Sequence, residues 1–125
     1  MDKIMSMNGT WNRTDIQGLD EFLVVRGCSY MVRTMAARAR ETVTFEITAE
    51  TLTVTKRETK NYTLGEATSE KDVFGNPVIT TITFSGDRII IKQDDESGKF
   101  KVTGERWLED ENTLRTVTRI RNQET

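Results

Sequence analysis

Histidine is absent from the 125-residue chain, and cysteine occurs once, at Cys28. Without an imidazole there is no His general base, no Ser-His-Asp or Cys-His nucleophile pair and no Cys/His zinc cluster; a single thiol excludes an intramolecular disulfide. Cys28 has no His to activate it and reads as a small cap or packing residue. Long apolar runs are missing too. No stretch of about 18 such residues is present to cross a bilayer as a helix, and Met1 to Met7 lack an apolar segment of signal-peptide length, so a soluble cytoplasmic protein is expected. Charge of one sign does not dominate: 18 Lys and Arg stand against 20 Asp and Glu, a net charge of -2. A domain-wide basic footprint for phosphate backbones is therefore lacking, and nucleic acid is not an expected partner. The acidic run Asp94-Asp95-Glu96 does not have the spacing of a calcium loop and reads as a solvated hairpin tip. Neither a metal nor another cofactor is expected.

What the chain does contain is a threonine-rich alternation. A length of 125 residues fits one domain, residues 1–125. With 35% hydrophobic and 30% charged residues, the apolar content suits a lining spread over a sheet better than a thick helical core. From Thr42 onward the period is two: Val43, Phe45 and Ile47 share a face, and Leu52 and Val54 repeat the pattern. A weaker strand surrounds Tyr62 to Leu64. Stronger ones follow at Val78 to Phe84, Arg88 to Gln93, Phe100 to Leu108 and Leu114 to Arg121. Ser85-Gly86-Asp87 reads as a three-residue hairpin turn. Strands at such intervals predict an antiparallel meander, a sandwich or a barrel.

Helical spacing is confined to Gly18 to Glu41, where Leu19, Phe22, Leu23 and Arg26, then Met31, Val32, Met35 and Ala36, recur at intervals of three and four. Gly27 divides this segment into two short helices. Asp15 or Gln17 starts the first and Ser29 the second. A strand from Gly9 to Thr14 precedes them.

This order, together with several local stretches, resembles the intracellular lipid-binding protein family, which comprises the fatty-acid-binding and cellular retinoid-binding proteins. The likeness rests on Gly9-Thr10-Trp11, Leu19-Asp20-Glu21-Phe22-Leu23, Leu64-Gly65-Glu66 and Ile79-Thr80-Thr81-Ile82-Thr83-Phe84-Ser85-Gly86-Asp87. It implies a mainly β fold: a flattened antiparallel barrel, lipocalin-like, of about ten strands, capped by a helix-turn-helix lid with a portal beneath it. Two registers are available at the end of the chain. Aligning Thr118-Arg119-Ile120-Arg121 with the family's last strand places Arg119 at an anion-binding position and Arg121 where the family has Tyr. Aligning Glu105 to Leu114 with the preceding hairpin gives that role to Arg106 and leaves the barrel one strand short.

Alternation alone puts Arg115, Val117, Arg119 and Arg121 on one face and Leu114, Thr116, Thr118 and Ile120 on the other, while Phe100, Val102, Gly104, Arg106 and Leu108 share a face. An Arg inside an apolar cavity needs an anion, and its planar fork matches a carboxylate; on the outside it would pair with Asp or Glu. A stack of Arg119 on Trp11 is a third option. The resemblance implies a non-enzymatic, monomeric carrier of a long-chain fatty acid or similar carboxylate. Arg106, Arg119 and Arg121 are the candidate head-group residues, with Phe22, Met31, Met35 and Phe74 as apolar lid and portal contacts. The alternatives are a retinoid or bile-salt carrier, or a ligand-free barrel used for protein contacts. Arg26, Arg33, Arg38 and Arg40 make the helical segment basic, which suits either a solvated face or transient contact with anionic membranes.

Overall fold

Threonine, valine and isoleucine at alternate positions suit a pleated, half-buried surface, and they build nine antiparallel strands among the residues that the computed structural model describes: 2–12, 16–39, 41–72 and 74–122. One sheet holds β1 (Gly9–Asn12), β2 (Thr42–Ile47), β3 (Thr51–Thr55) and β4 (Thr59–Thr63). The other holds β5 (Thr68–Lys71), β6 (Pro77–Ser85), β7 (Arg88–Asp95), β8 (Phe100–Asp110) and β9 (Thr113–Asn122). Each strand pairs with its sequence neighbour within a sheet, and β4 does not pair with β5. The expected mainly β meander with a helix pair is thus present. The β6–β7 turn is tighter than the expected three residues: Ser85 pairs with Arg88, leaving Gly86-Asp87 as the loop.

Among the described residues, three short helices accompany the sheets: α1 (Asp2–Met5), α2 (Leu19–Val25) and α3 (Tyr30–Arg38). Ser29 caps α3 as expected, accepting a hydrogen bond from the backbone N–H of Val32 at 3.3 Å. The start of α2 differs. Gly18 is its cap residue and supplies no side chain, while Gln17 is drawn into backbone pairing with β9, donating to Thr116 O at 3.1 Å and accepting from Thr118 N at 2.8 Å. Asp15, the other candidate, lies outside the described residues, as do Arg13 and Thr14 at the end of the expected first strand.

At one turn, α1 is too short for any periodicity to betray it. What holds it is burial: Ile4 and Met7 are fully enclosed, and the Trp11 indole N–H donates to Met7 O at 2.8 Å. Ile4 and Met7 meet Phe45, Ile47 and Leu52 from one sheet and Ile82 and Ile89 from the other. Each such side chain contributes about 1.5–3 kcal/mol of burial, so this end of the barrel is a solid core.

Where β4 and β5 separate, side chains replace the missing ladder. The Glu70 carboxylate accepts from Lys60 Nζ at 2.9 Å and from the Tyr62 hydroxyl at 3.0 Å. Burial alone would raise the pKa of Glu70, but hydrogen bonds from Thr80, Lys60 and Tyr62, with the Lys60 charge, outweigh it and hold the carboxyl below the usual range. Burial first, then the Glu70 charge and bond, pushes the Tyr62 hydroxyl upward. For a carboxyl depressed on folding, the stabilisation is complete above its unfolded pKa, near 4.5, and disappears as pH falls through the lower folded value. Urea unfolding at pH 7 and pH 3.5 is expected to show a smaller acid loss in Glu70→Gln than in the wild type.

Candidate functional site

Register decides which arginines meet the interior. Along β8, Arg106 lies opposite Ile89 of β7 and Thr116 of β9, so it shares a face with the fully buried Ile89. The guanidinium stands 5.1 Å from the centre of the Phe45 ring on the facing sheet. Desolvation alone, with no opposing charge, pushes the Arg106 pKa down to about 10, which leaves it cationic at neutral pH. Its remaining accessible surface faces a cavity of 610 Å³ between the terminal strands of the two sheets, β1 and β9. Half-buried Trp11, Val43, Arg106, Leu114 and Thr116 form the floor. Exposed Asn12, Glu41, Lys56, Glu111 and Asn112 form the rim.

Arg119 sits on the opposite face. It is exposed and binds the Glu105 carboxylate at 3.1 Å, which Arg88 shares at 3.0 Å. The Arg119 hydrogen bond above all holds the Glu105 carboxyl below its ordinary range, against a desolvation that would raise it. The same alternation that turns Arg106 inward turns Arg119 outward, because the two strands pair Arg106 with Thr116 and Thr103 with Arg119. The arginine stack on tryptophan is Arg88 over Trp107, at 4.0 Å, rather than Arg119 over Trp11. The side chain of Arg121 lies outside the described residues; its backbone pairs with Lys101.

The lid residues divide. Phe22 packs against Phe74, the ring centres 6.1 Å apart, whereas Met31 and Met35 are 72% and 67% exposed. They point to solvent because α3 buries none of its residues and leans on α2, through Arg33 bound to Asp20 at 3.0 Å and to Cys28 O at 2.9 Å. The residue that α2 buries is Leu23.

A second buried cation escaped the sequence reading. Arg26, which ends α2, lies between the rings of Phe74 and Phe100, 4.4 and 4.3 Å from their centres. Its Nη1 approaches Asp72 Oδ2 to 2.8 Å without the alignment of a hydrogen bond, and both side chains are under a tenth exposed. Asp72 meanwhile accepts from the backbone N–H groups of Phe74 and Asn76, shaping the β5–β6 turn. Helical spacing sets Arg26 with Leu19, Phe22 and Leu23, and only its charge, grouped with Arg33, Arg38 and Arg40, suggested a solvated face or membrane contact. The Arg40 side chain is outside the described residues, so the helical basic group is known here through Arg26, Arg33 and Arg38.

At the acidic hairpin tip, Asp95 accepts from the Ser97 hydroxyl and the Lys99 N–H. Among the described residues no cluster of acidic or Cys side chains has metal-binding geometry. No described helix is long and apolar enough to cross a membrane.

No family profile matches the chain, and no curated protein matches by sequence. Solved structures do match. A Schistosoma mansoni fatty-acid-binding protein in complex with arachidonic acid superposes with a TM-score of 0.77 at 19% identity, over 94% of this chain and 90% of that one. A fatty-acid-binding protein from Drosophila melanogaster brain gives 0.69 at 25% identity, over 91% and 90%. Human cRBP IV gives 0.67 at 15% identity, over 82% and 81%. With its two antiparallel sheets and helix pair, the chain has the fold of the intracellular lipid-binding proteins.

Proposed function

We propose that the chain is a member of that family and a non-enzymatic carrier that holds a hydrophobic carboxylate, of the long-chain fatty-acid class, with its head group on Arg106. The observation that carries this reading is a desolvated guanidinium, given no opposing charge among the described residues, in the floor of a 610 Å³ cavity. A cation so placed is costly until an anion pairs with it, and a carboxylate offers two acceptors to the guanidinium fork. Trp11, Val43 and Leu114 beside it supply apolar contact for the first part of a tail. Arg119 has no part in the head-group site on this reading.

Calorimetric titration with oleate and with oleyl alcohol tests the reading, since the two differ at the head group. Oleate is expected to bind about 10- to 100-fold more tightly, the worth of a charge-assisted contact. Equal affinities would remove the anion site. The closed core over α1 favours a second reading, a barrel without ligand that serves protein contacts; a protein indifferent to both lipids would select it.

A further inference from the structure

The helix end and the β1–β9 seam beside the Arg106 cavity are held together differently. At the helix end, Arg26 joins three elements at once: it ends α2, stacks on Phe74 of the β5–β6 turn and on Phe100 at the start of β8, and pairs with Asp72. Phe22 adds a second contact from α2 to Phe74. Separating these elements would strand a buried cation and a buried carboxylate, so this end is held shut.

Among the described residues, the seam between β1 and β9 has no such fastening. Each is the last strand of its sheet, and among the described residues β1 pairs with β2 alone, while β9 has β8 and the single bridge to Gln17. The cavity floor lies in this seam, and its rim of Asn12, Glu41, Lys56, Glu111 and Asn112 is exposed on both sides. Arg106 is therefore reached from solvent past polar rim side chains without breaking a buried pair.

We propose that ligand enters and leaves through the β1–β9 seam, while Arg26 and Asp72 latch the helix end closed. This rests on the carrier reading, since it concerns the route to the same cavity. It also departs from the portal beneath the helices that the family resemblance implies.

Stopped-flow mixing with cis-parinaric acid, a fluorescent fatty acid, separates the two routes. Asn12→Trp and Asn112→Trp each narrow the rim at an exposed position. They are expected to slow association and dissociation at least fivefold while changing the equilibrium constant less than twofold. Arg26→Met removes the latch cation and leaves Asp72 buried without it, which frees the helix end, and is expected to raise both rates more than twofold. Circular dichroism on each variant confirms that it is folded, and two rim variants guard against the loss of one. Unchanged rates in Arg26→Met would remove the latch, and wild-type rates in both rim variants would overturn the seam route, while either result leaves the carrier reading in place. A wild-type protein that binds no probe would overturn the carrier reading itself, and the route with it.

Discussion

Arg106→Leu is expected to do two opposite things: weaken carboxylate binding by about 10- to 100-fold and raise the stability of the ligand-free protein by about 1–3 kcal/mol. The first effect follows from losing both donors of the fork. The second follows because Arg106 is desolvated with no opposing charge among the described residues, so the folded apo protein bears a cost that an apolar side chain of similar reach does not impose. The contact with Phe45, at 5.1 Å, offsets only part of that cost. Arg106→Lys separates charge from geometry: it keeps the cation but lacks the planar pair of donors, and should fall between the two in affinity. Fatty-acid titration and urea unfolding of the same preparations check both halves. Affinity and stability falling together in Arg106→Leu would identify Arg106 as a structural residue and remove the head-group assignment.

The strands were legible because their determinant is local. Val43, Phe45 and Ile47, or Val78, Thr80 and Ile82, alternate with polar residues over several positions, and burial in the structure follows that alternation. The strand β5 was not legible: Thr68-Ser69-Glu70-Lys71 has no apolar residue. Its inward side chain, Glu70, is tolerated inside because Lys60 and Tyr62 reach across the sheet gap to satisfy it. The single turn α1 was equally silent.

At the site, periodicity grouped Arg115, Val117, Arg119 and Arg121 on one face and Arg106 with Phe100 and Val102 on another, but could not tell inside from outside. That choice depends on which face meets the opposite sheet. It becomes visible only through long-range contacts such as Arg106 with Phe45, 61 positions apart by sequence number. The buried pair of Arg26 and Asp72 was hidden for a related reason. A charge on a helical period looks solvated until the aromatic rings that cover it, Phe74 and Phe100, are brought in by the fold. Exposure of Met31 and Met35 makes the complementary point: an apolar residue at helical spacing is buried only if its helix leans on the core with that side, and α3 leans on α2.

Gly18→Ala is expected to destabilise the protein by about 3 kcal/mol, more than any other glycine replacement for which surrounding atoms are known. Two independent terms add. The backbone at Gly18 has φ +84°, a conformation that costs an alanine about 1–2 kcal/mol. A Cβ there would also stand 2.0 Å from the carbonyl oxygen of Thr118, a backbone atom that cannot swing aside. Relief requires Gln17–Gly18 to withdraw from β9, which stretches the bonds from Gln17 N to Thr116 O and from Thr118 N to Gln17 O, each worth about 1 kcal/mol. Gly27→Ala isolates the first term, because φ there is +80° while nothing lies within 4 Å of the added carbon. It should cost about 1–2 kcal/mol, and the difference between the two variants in urea unfolding then measures the close approach alone. Equal losses in the two would mean that the contact of Gly18 with β9 adds nothing to stability. A larger loss at Gly18 would show that the start of α2 is anchored to the edge of β9, one border of the cavity that Arg106 occupies.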